Sequence, residues 1–215
     1  MKTKAYPEQP PILDLVKQRG FVIFNDGNYD LNIIALRRLD NRQHNRFDDT
    51  LHIVYKQGDS WMHEYCECTT DAGTYWLTKK DYRKDGVAVL IHDQQARGAY
   101  KIGKHRGYKA LEQVQNVSIW RDNNLDSVAD YNCSEVHKGV YKCNIHRAST
   151  RPNGSTYVNK WSAGCIVVSK NDDFLRVMHL AEKQVLSLGY RTFTLTLLGY
   201  DYGHDDNRLF DADCD

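Results

Sequence analysis

The chain has 215 residues, 41% of them hydrophobic, and a formal net charge of +1 at pH 7. A nearly neutral chain lacks the positive field with which many proteins bind nucleic acid or anionic membranes, so neither partner is predicted. Its apolar runs are only a few residues long, against the roughly 20 that a membrane-spanning helix needs, and no transmembrane segment is predicted. Length and composition predict one domain, residues 1–215, with a sizeable core.

The N-terminal residues 1–20 are predicted to be a peripheral lead-in to this domain. Three prolines stiffen its start, and Ile12–Gln18 has the pattern of a short helix that ends at Gly20. The segment has neither the apolar stretch nor the small-residue cleavage site of a secretion signal. We therefore expect a soluble protein that is made in the cytoplasm without a signal peptide.

Four β-prone runs separated by turn residues follow the lead-in and predict an antiparallel meander. They are Phe21–Phe24, Leu31–Leu36, Leu51–Tyr55 and Trp61–Thr69. Val87–Ile91 is a continuous apolar run, which predicts a central strand buried on both faces.

A basic stretch runs from Arg97 to Lys109. It contains five Lys or Arg residues and His105, and it has no acidic residue. One interpretation is a basic lip that attracts carboxylates, and the other is a solvated surface, where charged runs usually lie.

Val117–Arg121 is predicted to be a strand, and the loop after it contains oxygen-bearing side chains at alternate positions. Asp122, Asn124, Asp126 and Asp130 match positions 1, 3, 5 and 9 of a calcium-binding loop. The sequence lacks the glycine expected at position 6 and the glutamate expected at position 12. Turns rich in Asp and Asn have the same appearance, so calcium binding and plain turns both stay open.

The cysteines are expected to be mostly reduced, because the chain has no secretion signal. A disulfide between Cys133 and Cys143 across a local loop stays open. Cys66 and Cys68 have the wrong spacing for a zinc knuckle, and neither a metal nor a cofactor is predicted. The six cysteines are Cys66, Cys68, Cys133, Cys143, Cys165 and Cys214.

The candidate active site lies in two short β-prone segments, Tyr141–His146 and Cys165–Val168, which flank a polar loop. A thiol attacks a carbonyl as thiolate, and because its reference pKa is about 8.5 a neighbouring imidazole usually removes the proton. Cys165 is therefore the candidate nucleophile and His146 the candidate base. Gly164 permits a sharp turn that would aim the amides of Gly164 and Cys165 at a developing oxyanion.

A histidine, 15 intervening residues and then Ser-Ala-Gly-Cys with aliphatic residues after it resemble the active-site signature of the L,D-transpeptidase (YkuD-like) family. The segments TTDAGTYWL and GAYKIGKHRGYKALEQ resemble the phage and prophage branch of that family. The resemblance implies a domain that processes peptidoglycan stem peptides through an acyl-thioester. It implies that Cys165 is the nucleophile, His146 the base, Gly164 the preceding glycine and Ser162 the hydroxyl of the motif.

Two positions depart from the family motif. Ala163 stands where a second histidine is usual, and Arg147 stands where Gly or Ser is common. Arg147 offers a fixed cation that can hold a stem-peptide carboxylate through two hydrogen bonds. Asn144, two residues before His146 and hence on the same face of a strand, is predicted to orient the imidazole.

The resemblance also places substrate-binding residues around the dyad. Tyr75 and Trp76 lie on the way to the substrate groove, although a plain loop with half-buried rings is an equal interpretation. The residues predicted to bind substrate are Arg147, Trp161, His105, Arg106 and Tyr75.

The C-terminal part is predicted to contain one core-facing helix and one strand. Asn171 is predicted to cap the helix, whose apolar residues recur at helical spacing until Gly189 ends it. Thr192–Leu198 alternates as a half-buried strand does. Residues 200–215 form an acidic tail without a pattern, which we expect to be loosely held.

Together these features predict an α+β fold that is mainly β, with a curved mixed sheet or β-sandwich resembling the L,D-transpeptidase fold and a packed C-terminal helix. The predicted function is a cysteine-dependent acyl transferase or hydrolase of peptidoglycan stem peptides. It would act at the bacterial cell wall after phage-type or other release without a signal peptide. The alternatives are a non-catalytic peptidoglycan-binding or virion structural module, and a cysteine protease or endolysin-type endopeptidase. The oligomeric state stays open.

Overall fold

The structure, a computed structural model, describes residues 1–131 and 135–202. It is mainly β, with 39% strand and 15% helix. In chain order the elements are β1 Lys2–Tyr6, α1 Pro11–Gln18, β2 Asn32–Arg38, β3 Asp49–Gln57, β4 Ser60–Thr69, α2 Thr74–Leu77, β5 Val87–Leu90, β6 Gln94–His105, β7 Tyr108–Gln113, β8 Val117–Asp122, β9 His137–Gly139, β10 Ile145–Arg147, β11 Ile166–Val168, α3 Asn171–Leu188 and β12 Thr192–Tyr200.

Eight of the strands close into a barrel. They follow one another in the order β4, β11, β10, β7, β6, β12, β2 and β3, and β3 pairs with β4 to close the ring. The β10–β11 and β12–β2 pairs are parallel and the other pairs are antiparallel. The predicted α+β, mainly β class and mixed sheet are confirmed. The sandwich alternative is wrong, because the β3–β4 hairpin supplies both ends of the sheet and joins them.

Alternate residues of the barrel strands pack on opposite sides of the sheet. In β2, Ile33 and Ala35 belong to the interior cluster, to which all eight barrel strands and α3 contribute. The prediction of a core-facing C-terminal helix is therefore confirmed. Ile34 and Leu36 point outward and pack against α1, so this helix lies on the outside of the barrel and shares a buried outer cluster with β2. The α1 residues in that outer cluster are Ile12, Leu13 and Val16.

The C-terminal end of α3 agrees with the prediction from sequence, and the N-terminal end does not. Gly189 ends the helix in the left-handed conformation, and its N–H donates to the Val185 carbonyl, as predicted. The N-cap is Lys170 and not Asn171, which is the first helical residue. The prediction of Asn171 as the cap is therefore wrong, and no side-chain hydrogen bond caps this helix.

A second sheet contains three strands in the order β5, β8 and β9. Val87–Leu90 forms its edge strand β5, so the prediction of a central strand is wrong. The strand is nevertheless buried on both faces, since alternate residues pack into the barrel interior and into a separate cluster around Trp120. Burial here comes from the packing of two sheets and not from a central place in one.

Most of the other predicted strands exist, with one exception. Phe21–Phe24 is not a strand: the N–H and C=O of Phe24 bond to the Asn32 side chain instead of a strand partner. The runs predicted at Leu51–Tyr55 and Trp61–Thr69 lie within β3 and β4. The extended start of the chain, for which no strand partner was predicted, forms β1. This strand pairs antiparallel with β4.

The candidate calcium loop is held by hydrogen bonds of the kind found in Asx turns. The Asn124 amide donates to Asp126 and Asp130, at 2.9 and 2.8 Å. Carboxylate oxygens of Asp126 and Asp122 accept from the backbone N–H groups of Val128 and Asp130. These bonds favour the turn interpretation.

No helix within the described residues has the length and apolar character that crossing a membrane requires. Cys66, Cys68 and Cys143 are buried free thiols, and Cys165 is a partly exposed one. The predicted disulfide partner Cys133 lies outside the described residues. Cys214 and residues 203–215 of the acidic tail lie outside them as well.

The hairpin that closes the barrel carries a buried histidine pair on its outward side. His52 Nδ1 lies 2.8 Å from His63 Nε2, and the two rings stack. Burial lowers the pKa of His63 to about 4 and that of His52 well below its usual value. The pair is therefore neutral at neutral pH.

This pair makes the barrel sensitive to acid. The unfolded chain protonates these histidines near pH 6.5, whereas folded His63 resists protonation until about pH 4. The free energy of unfolding should therefore fall as the pH drops through this window, by up to about 1.4 kcal/mol per pH unit for each histidine. Urea unfolding between pH 7 and pH 4.5 measures this slope. We expect His63→Gln to flatten it and His179→Gln, an exposed residue of α3, to leave it unchanged. Equal slopes in wild type and His63→Gln would contradict the prediction.

Candidate functional site

The candidate nucleophile and base are brought together by the parallel pairing of β10 with β11. Ile145 pairs with Ile166 and His146 with Val167, while Cys165 comes directly before β11. Because Ile145 and Ile166 belong to the barrel interior, their neighbours His146 and Cys165 project from the other face. The two side chains therefore meet on the outside of the barrel.

Three side chains converge at this point. A ring nitrogen of His105, a ring nitrogen of His146 and Sγ of Cys165 all lie within 4.8 Å of one another. His146 is 1% exposed, whereas His105 and Cys165 are partly exposed. We call these three residues the thiol–imidazole cluster.

The hydrogen bonds of His146 determine which nitrogen carries its proton. Nδ1 lies 2.8 Å from the Arg147 carbonyl oxygen and 3.1 Å from the Tyr108 hydroxyl. A carbonyl oxygen only accepts, so Nδ1 carries the hydrogen and Nε2 has the free lone pair. Nε2 is buried and has no hydrogen-bond partner within residues 1–131 and 135–202. His146 thus presents an unused proton acceptor.

Burial controls the charge of the cluster. Burial and, to a smaller extent, the neighbouring His105 ring lower the pKa of His146 to about 3, against the hydrogen bond to Arg147. Burial raises the pKa of Cys165 to about 11, although the Asn144 N–H and the Arg106 charge act in the opposite direction. Burial and Arg106 also lower the pKa of His105. The free protein therefore holds a neutral thiol beside neutral imidazoles at neutral pH.

The turn before Cys165 is held by Ser162. Its hydroxyl donates to the Cys165 carbonyl at 2.8 Å and accepts from the Gly164 N–H at 3.2 Å. Gly164 has a φ of 113°, and a Cβ there would lie 2.4 Å from the carbonyl oxygen of Ala88. Only glycine fits this close approach of the turn to β5.

These contacts change the expected oxyanion site. The Gly164 N–H already has Ser162 as its acceptor, so the prediction that it is a free oxyanion donor is wrong. No described residue accepts a hydrogen bond from the Cys165 N–H, which leaves that amide available. Ser162 has a structural contact in the turn and no direct contact with the imidazole.

Asn144 also differs from its predicted role. Its side-chain oxygen accepts from the Gln113 N–H at 2.9 Å, and its Nδ2 lies 3.3 Å from Nδ1 of His105. The amide therefore contacts His105 and not His146. The expectation failed because the second histidine comes from a strand some forty residues away in sequence.

The predicted substrate-binding residues fall into three places. His105 and Arg106 lie at the cluster, at the end of the β6–β7 hairpin. Arg147 stacks over the Tyr108 ring at 4.1 Å and lines a cavity of about 390 Å³ beside α3. Tyr75 and Trp161 line a different cavity of about 510 Å³.

The basic stretch is divided among three places. Only His105 and Arg106 lie at the cluster. Lys109 pairs with Glu182 of α3 at 2.5 Å, and Arg97 lines a cavity of about 730 Å³ that also contains Arg191. The lip interpretation therefore stays a prediction for His105 and Arg106 alone.

Sequence reasoning missed Tyr108. Its hydroxyl contacts both His146 Nδ1 and the Arg147 carbonyl oxygen, at 3.1 and 3.3 Å. Nothing in the local sequence separates this tyrosine from the others in the chain. Its role follows only from the pairing of β7 with β10.

The cluster contains ligand types that zinc prefers. The His105 and His146 rings, however, stack with centroids 3.8 Å apart and an interplanar angle of 11°. A metal binds in the plane of an imidazole, so nearly parallel rings cannot both aim a lone pair at one ion unless one ring rotates. In this arrangement the two rings do not form a metal centre.

Comparison of the chain with protein-family models, with curated proteins and with solved structures gave no match.

The pKa of Cys165 makes a prediction about its reactivity. Because the thiol ionises only near pH 11, we expect its alkylation by iodoacetamide to accelerate about tenfold per pH unit between pH 7 and pH 9. Cys165 should still react before the three buried cysteines, because it is partly exposed. Peptide mass spectrometry after timed alkylation measures both effects, with Cys143→Ala as the control. A rate plateau below pH 8 would indicate a preformed thiolate and contradict the prediction.

Proposed function

We propose that the protein is a cysteine-dependent acyl transferase or hydrolase that acts on peptidoglycan stem peptides. The observation that carries the proposal is the unpartnered Nε2 of a buried histidine beside a partly exposed thiol. Acyl transfer through a thioester requires at least a thiol nucleophile and a neighbouring group that accepts its proton. The choice of peptidoglycan rests on the motif around His146 and Cys165, and an L,D-transpeptidase-like fold is part of the proposal.

The proposed reaction begins with proton transfer at the moment of attack. Sγ of Cys165 bonds to a peptide carbonyl carbon while its proton moves to Nε2 of His146. The Arg147 carbonyl and the Tyr108 hydroxyl hold the imidazole while it is charged. The imidazolium then protonates the leaving amine, the C–N bond breaks and a thioester remains on Cys165.

The fate of the thioester defines the two variants of this activity. Attack by a second amine gives a cross-linked peptide, and attack by water gives a shortened stem. In either case His146 accepts the proton of the attacking group and returns it to the thiol. Arg147, which lines the cavity beside Tyr108, is placed in this proposal as the group that binds a stem-peptide carboxylate. The site of action would be the bacterial cell wall.

A second candidate function is a non-catalytic peptidoglycan-binding or virion module. It is favoured by the burial of His146 and the raised pKa of Cys165, which together leave the thiol protonated in the free protein. A cysteine peptidase acting on proteins would use the same pair of side chains. Of the three functions, only the proposed one consumes muropeptides, and only the peptidase cleaves a protein substrate.

Incubation with purified tetrapeptide muropeptides and mass analysis of the products tests the proposal. We expect shortened stems or cross-linked dimers with wild type, and none with Cys165→Ala or His146→Gln, because each removes half of the proton-transfer pair. Cys143→Ala removes a buried thiol two residues before β10 and should keep activity.

Two outcomes would contradict the proposed function. Equal turnover by wild type and Cys165→Ala would exclude the thiol mechanism. Muropeptides left intact by wild type, together with cleavage of a protein substrate, would favour the peptidase.

A further inference from the structure

His105, the second histidine of the thiol–imidazole cluster, takes no part in the proposed proton transfer between Cys165 and His146. His105 ends β6, and its ring stacks on His146 with centroids 3.8 Å apart. A ring nitrogen of His105 lies within 4.8 Å of Sγ of Cys165. His105 is therefore close enough to the candidate nucleophile to contact a bound substrate.

The protonation of His105 follows from a chain of hydrogen bonds. The Gln113 N–H can only donate, so the atom of Asn144 that it contacts at 2.9 Å is the side-chain oxygen. The other end of the amide, Nδ2, must then face Nδ1 of His105, at 3.3 Å. An amide nitrogen only donates, so Nδ1 of His105 is the acceptor. The hydrogen of neutral His105 therefore lies on Nε2.

The two stacked rings thus have opposite tautomers. His146 has its hydrogen on Nδ1, fixed by the Arg147 carbonyl, and presents a lone pair at Nε2. His105 has its lone pair occupied by Asn144 and presents an N–H at Nε2. One ring is equipped to accept a proton and the other to donate a hydrogen bond.

The turn before Cys165 supplies only one free hydrogen-bond donor for an oxyanion. Acyl transfer normally uses two or more hydrogen-bond donors to stabilise the oxyanion that forms on the carbonyl oxygen. Of the two amides expected to supply them, the Gly164 N–H is bound to Ser162. The Cys165 N–H is left, and a second donor has to come from elsewhere.

We propose that His105 is a second catalytic histidine, whose Nε2–H donates a hydrogen bond to the oxyanion formed when Cys165 attacks the substrate carbonyl. The inference rests on the proposed function and specifies how that site stabilises its transition state. In the step, the S–C bond forms, the carbonyl π electrons move to oxygen and the thiol proton passes to His146. His105 keeps its own proton throughout. Asn144 is a positioning residue, because it acts only by fixing the tautomer of His105.

Two variants separate a hydrogen-bond donor from a packing contact. His105→Ala removes the donor, and we expect kcat to fall about 10²- to 10³-fold with little change in KM, as for loss of an oxyanion donor elsewhere. His105→Gln keeps an N–H donor of similar reach and should recover part of that loss. Equal kcat in wild type and His105→Ala would overturn the inference.

A third variant tests the tautomer without touching the ring. In Asn144→Asp, one carboxylate oxygen still accepts from the Gln113 N–H, and the other faces His105 and only accepts. We expect the hydrogen of His105 to move to Nδ1, which nitrogen-15 NMR of the imidazoles would detect, and kcat to fall as in His105→Ala. A changed tautomer with unchanged kcat would overturn the inference.

Two chemical probes keep this failure distinct from failure of the proposed function. Acylation of Cys165 by p-nitrophenyl acetate forms an oxyanion, whereas alkylation by iodoacetamide does not. Both are measured with a chelator present, because the cluster contains zinc-ligand types. We expect His105→Ala to slow acylation at least tenfold and to change alkylation less than twofold. Equal slowing of both would assign His105 to the reactivity of the thiol and overturn the inference. A wild-type protein that is alkylated but never acylated by ester or muropeptide would overturn both proposals.

Discussion

The candidate site depends on one short pairing, the three-residue parallel ladder between β10 and β11. It puts Ile145 and Ile166 into the barrel interior and sends His146 and Cys165 to the outer face together. A slip of one residue would exchange the two faces, burying His146 among apolar residues and exposing Ile145. Closure of the barrel prevents this slip, because β11 is paired on its other edge with β4 and β10 with β7. The geometry of the dyad is thus a consequence of the barrel as a whole.

Burial gives the site its electrostatic character. The pKa of His146 is lowered and that of Cys165 is raised, so the proton stays on sulfur at neutral pH. In the proposed reaction, charge separation would be confined to the attack step, where the Arg147 carbonyl would stabilise the imidazolium. Such a site protects its thiol from oxidation and alkylation at neutral pH, because both reactions need the thiolate.

Local patterns predicted those parts of the molecule whose contacts are local in sequence. The α3 helix and its end at Gly189 follow from periodicity and from a residue that tolerates positive φ. The proximity of His146 and Cys165 follows from a motif confined to twenty residues. Closure of the barrel could not be predicted, since pairing partners such as β12 and β2 lie far apart in the chain. For the same reason His105 and Tyr108, which the β6–β7 hairpin delivers to the dyad, were not assigned their contacts. Asn144 was placed on the correct face but given the wrong partner, because its partner His105 lies 39 residues away in sequence.

The backbone of the turn before Cys165 touches β5 of the second sheet, since Gly164 lies against the carbonyl of Ala88. Gly73, which precedes α2, approaches the backbone of Asn159 in the same loop even more closely. Main-chain contacts at Asn159 and Gly164 thus hold the second half of the loop between β10 and β11 against Gly73 and β5. Under the proposed function, the shape of this rim would govern access to the cysteine, and small or extended acyl donors would be favoured over those that need a moving lid. The second sheet would then contribute to selectivity by supporting the rim through Ala88.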